Sequence, residues 1–230
     1  MKQINSVAAR RAIVSLMQTN PPRADELGPH IVAIGASGSE GLSDLRDLLE
    51  ALPAKLRAVV LVVLHRPSDQ ISHLREVLAA RSALPVVIPD EDQEFRVGVC
   101  YIGEPAGHLS LAARSRAHLI ESAQSKYPNR TVDLLFTSVA AQARTRAIGV
   151  VLRGSLSDGS RGLAAIHFAG GSTMVLGTRG TPTRGMPSNA AEYAGPIDFT
   201  GSIDEIAAEI LRRVAITPLG KRVTDAQYGG

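Results

Sequence analysis

Three apolar runs constrain this chain more than any other feature: Ile31–Ala36, Ala58–Leu64 and Ala147–Leu152. A strand with one face in water alternates apolar and polar residues, whereas a run without alternation must be covered on both faces. Between and after these runs the pattern changes period. Leu42, Leu45, Leu48, Leu49 and Leu52 recur at helical spacing, and 203–214 carries a second amphipathic stripe. Segments 71–80, 132–144 and 163–168 read as further helices, and 172–176 as a further strand. Segment 84–89 reads as a short strand. Segment 95–102, which alternates and carries Gly98, reads as a hairpin or a piece of mixed sheet. Strands alternating with helices imply an α/β fold: a mostly parallel sheet, covered on both faces and joined by right-handed crossovers. Tryptophan is absent and aromatics are few, so the core must be built from Val, Leu, Ile and Ala.

The remaining composition excludes several classes of function. A net charge of +3 is small for 230 residues, and the basic residues are scattered, which argues against nucleic-acid binding. The longest apolar run, 58–64, is too short to span a bilayer. The N-terminus carries Lys2, Arg10 and Arg11 but no apolar stretch of signal-peptide length, so a cytoplasmic location is expected. Cys100 is the only cysteine, which forbids an internal disulfide and reads as a small buried hydrophobe in a strand. Pro21-Pro22 stops any helix before it. Residues 1–29 are therefore expected to be a tail or linker remnant, with a docking helix as the alternative. Residues 30–216 are expected to form the domain, and 217–230, which lack periodicity, a C-terminal tail.

In parallel sheets, function gathers at the carboxyl ends of the strands. Here the three strongest strands lead to Ser37, to His65 and, through Gly154-Ser155, to Asp158. A serine, a histidine and an aspartate leaving one sheet edge suit nucleophilic catalysis, in which the histidine takes the serine proton and the aspartate orients the imidazole. Each also has a structural reading. Ser37 can cap the helix that follows it, His65 can be an ordinary strand-end histidine, and Asp158 can cap the helix around Leu163. The glycine pattern Gly35, Gly38, Gly41 fits neither a dinucleotide fingerprint nor a P-loop, which disfavours a nucleotide-binding domain. It also lacks the G-x-S-x-G of a lipase elbow, since position 39 is Ser. Among the other histidines, His73 and His118 fall on expected surface helices and His167 inside a helix, while His108 can border the site. Asp90, Glu91 and Asp92 read as a solvated acidic turn. No His/Cys spacing suggests a metal.

Across these motifs the chain resembles the catalytic domain of the bacterial chemotaxis protein-glutamate methylesterases. The resemblance runs through Ile34-Gly35-Ala36-Ser37, Val63-Leu64-His65-Arg66-Pro67, and Tyr101-Ile102 with Pro105 and His108-Leu109. It continues through Arg130–Ala140, Ile148–Gly154, Ser157-Asp158-Gly159, Gly170-Gly171 and Gly185-Met186-Pro187. Order and spacing hold from about residue 30 to about 212.

The resemblance implies a three-layer α/β/α sandwich that hydrolyses methyl esters on glutamate side chains of chemoreceptors, with glutamine deamidation as a related activity. It makes Ser37 the nucleophile, His65 the general base and Asp158 the orienting acid. The backbone N–H groups of Gly38 and Ser155 fall at its oxyanion-hole positions, and Met186 and Pro187 line the site. It implies no metal or organic cofactor, and methylated cytoplasmic receptor segments as partners. The sequence departs from the family pattern beside each candidate: Gly38 replaces the usual Thr, Leu64 the usual Gln and Ser155 the usual Met. Leu176-Gly177-Thr178 stands where an acidic pair is usual. Those departures motivate an alternative, an altered member that keeps the fold as a protein-binding module. The family commonly carries a receiver domain ahead of the esterase, for which 230 residues leave no room; a catalytic fragment and a stand-alone protein both fit.

Overall fold

The computed structural model describes residues 28–66, 73–105, 107–121, 130–155 and 157–215. The expected tails, 1–29 and 217–230, lie almost wholly outside these residues. Seven strands form the parallel sheet in the order β10-β8-β7-β1-β2-β4-β3. They are β1 (His30–Ser37), β2 (Ala58–His65), β3 (Val86–Val87), β4 (Cys100–Ile102), β7 (Ala147–Val151), β8 (Ser172–Thr178) and β10 (Phe199–Gly201). A two-residue strand, β9 (Thr181–Pro182), adds antiparallel to β8. Separately, β5 (Gly107–Ala112) and β6 (Arg116–Glu121) pair as an antiparallel hairpin.

The continuous apolar runs are explained by what covers them. Alternate residues of each central strand enter two different cores. Val32, Ile34, Val60 and Val62 pack with Leu45, Leu48 and Leu49 of α1 (Gly38–Ala51), Leu74 and Leu78 of α2 (Leu74–Ala79), and Ile206 and Ile210 of α6 (Ile203–Ala215). Ile31, Ala33, Leu61 and Val63 pack on the opposite face with Leu135 and Phe136 of α3 (Thr131–Ala143), Leu163 and Ile166 of α4 (Ser160–Phe168), and Met186 and Ala190 of α5 (Met186–Ala194). The result is the expected three-layer α/β/α sandwich. The hairpin joins the α3 face through Leu109, Leu111 and Ala117. Among the described residues, no helix is long and apolar enough to cross a membrane.

Several local expectations change. Segment 95–102 is not a hairpin: only Cys100–Ile102 is strand, and it lies parallel between β2 and β3. His118 lies on β6 rather than a helix, and its Nδ1 is 2.9 Å from Glu91 Oε1. The acidic turn is not merely solvated. Glu91 also accepts the Leu119 N–H at 2.6 Å, and Asp92 pairs with Arg116, so the turn is tied to the hairpin. Cys100 is fully buried as expected, and burial pushes its thiol up to about 12, which leaves it no thiolate at neutral pH. The segment read as a helix over 71–80 begins outside the described residues; within them the helix is α2.

Candidate active site

The parallel register of β1 and β2 pairs Ser37 directly with His65. Neighbouring strands stand about 4.8 Å apart, so the two residues leave the sheet side by side. By strand alternation Ser37 follows Ile31 and Ala33, and His65 follows Leu61 and Val63, so both belong to the α3 face. β1 is also where the chain order reverses: β2, β3 and β4 lie on one side of it, and β7, β8 and β10 on the other. Such a switch point leaves a crevice beyond the carboxyl ends of the strands.

The turn after β1 favours a reactive rather than a structural role for Ser37. Ser37 occupies the N-cap position of α1, yet its side chain makes no capping hydrogen bond. Its backbone is ordinary extended chain (φ −148°, ψ 143°), and the left-handed residue is Gly38, at φ 71°. Glycine adopts that conformation without strain. The half-buried Ser37 hydroxyl thus lies at the amino end of α1, where the first-turn N–H groups have no partner within the helix.

The segment after β7 closes the other side of the crevice. The Ser37 N–H donates to the Arg153 carbonyl at 3.0 Å, and the Leu152 N–H to the Gly35 carbonyl at 2.9 Å. Arg153 is anchored to α1, where its Nε and Nη2 donate to the buried Asp44 carboxylate at 2.8 and 2.5 Å. Gly154 follows, so close to its neighbours that a Cβ there would stand 2.3 Å from Met186 Sδ and 2.7 Å from Ser37 Cβ. Met186 is buried, its N–H donates to the Gly154 carbonyl at 2.9 Å, and buried Pro187 follows it in the first turn of α5. Ser155 is exposed at the loop surface.

Asp158 is held differently from its expected capping role. Its carboxylate turns away from α4 and caps α3, accepting the Val132 N–H at 3.0 Å and the Asp133 N–H at 2.9 Å. Asp133 in turn accepts the Gly162 N–H of α4 at 2.8 Å. The two helix starts are therefore interlocked by two reciprocal aspartates. Val132 reaches this position because residue 35 is glycine: a Cβ on Gly35 would stand 2.2 Å from Val132 Cγ1. Burial raises the Asp158 pKa, while the two backbone N–H groups and the charge of His65 oppose that rise. Asp158 and His65 are thus within electrostatic reach of each other. Among the described residues, no hydrogen bond joins the three side chains directly. Such bonds are commonly long or unformed without substrate and tighten in the reacting complex.

His108, on β5, does border the site. It is buried, neither ring nitrogen has a hydrogen-bond partner, and burial followed by the charge of His65 holds its imidazole below the usual histidine range. Sequence reasoning missed Asp44, Arg153 and Asp133. Asp44 and Asp133 show in the sequence only as carboxylates beside apolar helical positions, and Arg153 only as a basic residue after a strand, and neither pattern reveals its partner.

Comparison with known proteins adds a consistent set of matches. A family model described as CheB methylesterase matches residues 32–210. A protein-glutamate methylesterase/protein-glutamine glutaminase of a group 3 operon from Cereibacter sphaeroides is 30% identical over 199 residues, 85% of this chain and 53% of the relative. A similarly described protein from Geobacter sulfurreducens is 32% identical over 210 residues, covering 90% of this chain and 55% of the relative. The chain spans about half the length of the curated relatives it matches. The crystal structure of the Thermotoga maritima CheB methylesterase catalytic domain superposes with a TM-score of 0.71 at 26% identity, covering 81% of this chain and 99% of that one.

Proposed function

The chain belongs to the CheB methylesterase family, and from that premise we propose that it is a serine esterase hydrolysing glutamate methyl esters on chemoreceptor-type proteins. The observation that carries this reading is the register pairing of Ser37 with His65 at the switch point of the sheet. Two further observations support it: Asp158 lies within electrostatic reach of His65, and the Ser37 hydroxyl is unused in capping.

In this mechanism His65 takes the Ser37 proton as Oγ attacks the ester carbonyl. The oxyanion of the tetrahedral intermediate accepts the N–H groups of Gly38 and Ser155. Losing one such donor typically costs about 10²–10³ in rate. Asp158 stabilises the imidazolium, which then protonates the leaving methoxide to give methanol. Water, deprotonated by His65, attacks the acyl-serine; collapse of that intermediate frees the glutamate carboxylate and restores the Ser37 hydroxyl. Met186 and Pro187 line the pocket. Deamidation of glutamine follows the same course with ammonia as the leaving group. The substrate is a cytoplasmic receptor segment, and the protein acts in the cytoplasm.

Methanol release from a methylated receptor fragment tests the reading. Wild-type chain should release methanol and take up a fluorophosphonate probe at Ser37, and Ser37→Ala should lose both, with the rate down by about 10⁴-fold or more. Activity that survives Ser37→Ala unchanged would remove Ser37 as nucleophile. A chain that neither turns over nor is labelled is the binding module.

A further inference from the structure

Asp44 is a buried carboxylate of α1, 1% exposed, that the proposed chemistry does not use. Packing does not call for it, because Leu45, Leu48 and Leu49 already seat α1 on the sheet. A buried carboxylate, even when paired, is costly to desolvate and contributes little net stability, so its place points to geometry rather than packing.

What Asp44 holds is the chain leaving β7. Besides gripping the Arg153 guanidinium, its Oδ2 accepts the Arg153 N–H at 3.3 Å. One turn earlier in α1, residue 41 is glycine, and a Cβ there would stand 2.4 Å from the Arg153 carbonyl oxygen. Gly41 and Asp44 share a helix face, so α1 presents bare backbone and then a carboxylate to the same residue. Arg153 is thereby fixed at both ends of its backbone: Asp44 takes its N–H, and its carbonyl accepts the Ser37 N–H at 3.0 Å.

The following peptide, Gly154–Ser155, carries the Ser155 N–H. Its carbonyl accepts the Met186 N–H at 2.9 Å. The peptide is trans and planar, so its carbonyl and N–H point in opposite directions. The Ser155 N–H therefore points away from the start of α5, and among the described residues it donates to nothing. Met186 anchors one edge of this peptide, and the Asp44–Arg153 clasp anchors the chain entering it. Gly154, between the two anchors, has no Cβ to restrict its own torsions, so the N–H is only as well placed as they are.

Resting on the esterase reading above, we propose that Asp44 is a positioning residue for the reaction: through Arg153 it sets the Ser155 N–H as an oxyanion donor. It touches no reacting atom itself.

Asp44→Ala tests this, because the released Arg153 side chain, 39% exposed, can turn to solvent, whereas removing Arg153 would strand a buried charge. kcat for methanol release should fall by about 10²-fold with KM unchanged, against about 10²–10³ for loss of a whole donor. Asp44→Asn, which keeps an oxygen for the Arg153 N–H, should recover part of the loss. Ser155→Pro deletes the donor itself, and in that background Asp44→Ala should cost no more than about twofold further. Amide relaxation needs neither turnover nor the proline variant. The Ser155 N–H order parameter should fall from about 0.85 in wild type to below about 0.6 in Asp44→Ala, with β1 and β7 unchanged. Unchanged kcat in Asp44→Ala, a second full loss in the Ser155→Pro background, or an unchanged Ser155 order parameter overturns the proposal. If wild type releases no methanol while the Ser155 N–H still loosens in Asp44→Ala, the esterase reading fails and the positioning of that N–H by Asp44 stands.

Discussion

The two sides of the crevice are built by different means. Ser37 and His65 are placed by a strand ladder, as the last register pair of β1 and β2. Asp158 is placed by helix ends, through backbone N–H groups that belong to α3. A ladder position is set by every hydrogen bond along both strands, so changing the terminal side chain leaves it in place. A position made by capping depends on the carboxylate itself. One side of the candidate site is thus scaffold that presents side chains, while on the other the proposed chemical group is also part of the scaffold.

That contrast can be broken most directly by removing the two proposed partners of Ser37. His65→Gln should lower kcat by about 10⁴-fold or more, while unfolding free energy changes by no more than about 0.5 kcal/mol. Asp158→Ala should lower kcat by about 10⁴-fold and also cost about 1–3 kcal/mol, because the buried Val132 and Asp133 N–H groups lose their acceptor. Denaturant melts beside steady-state rates check both. Equal stability losses in the two variants would contradict the distinction.

The connection between the two sides can be sharpened at Gly35. A Cβ there meets Val132, so Gly35→Ala should cost about 1–3 kcal/mol as overpacking and lower kcat as the α3 start moves with Asp158. Adding Val132→Ala removes the obstructing methyl groups and should restore much of both. Stability losses that merely add would show that the contact does not link the sides.

The smallest effect lies far from the site and serves as its control. Arg212 and then Arg213 hold Glu209 down to about 2. A folded pKa below the unfolded one adds stability above the unfolded value, and this is lost as pH falls through the folded value. Glu209→Gln should therefore cost about 0.5–1 kcal/mol at pH 7. The difference should fade as pH drops from the ordinary carboxylate range toward about 2, with kcat at neutral pH unchanged. Thermal melts across that range measure it.

Much of the ladder side was legible in the sequence, and most of the capped side was not. The runs ending at Ser37 and His65 are unbroken because helices cover both faces, and that pattern exists in the sequence itself. The stripes of α1, α3 and α6 are readable for the same reason. Asp158 stands out in the sequence as a candidate, but the helix it caps does not. A carboxylate before a glycine and a helix looks like the cap of that helix, and nothing local says it serves another. The α5 helix carries few large apolar residues between Gly185 and Gly195, so it has no stripe to read. The hairpin escaped because its packing onto α3 depends on distant contacts: the Leu111 N–H donates to Ser138 Oγ at 2.9 Å, across 27 residues. The neighbours of Gly154 were invisible for the same reason.

The position of β1 between β2 and β7 also has a kinetic consequence. β1 reaches β2 through one helix, a short loop closure, whereas its pairing with β7 joins segments more than a hundred residues apart. Contacts that close long loops form against a larger entropy cost and slow the chain that needs them. Ser37 meets His65 across the near pairing, but Asp158, Gly154 and the Arg153 carbonyl arrive only with the far one. Recovery of activity during refolding should therefore time the docking of β7 on β1, a later event than the burial of most of the apolar surface.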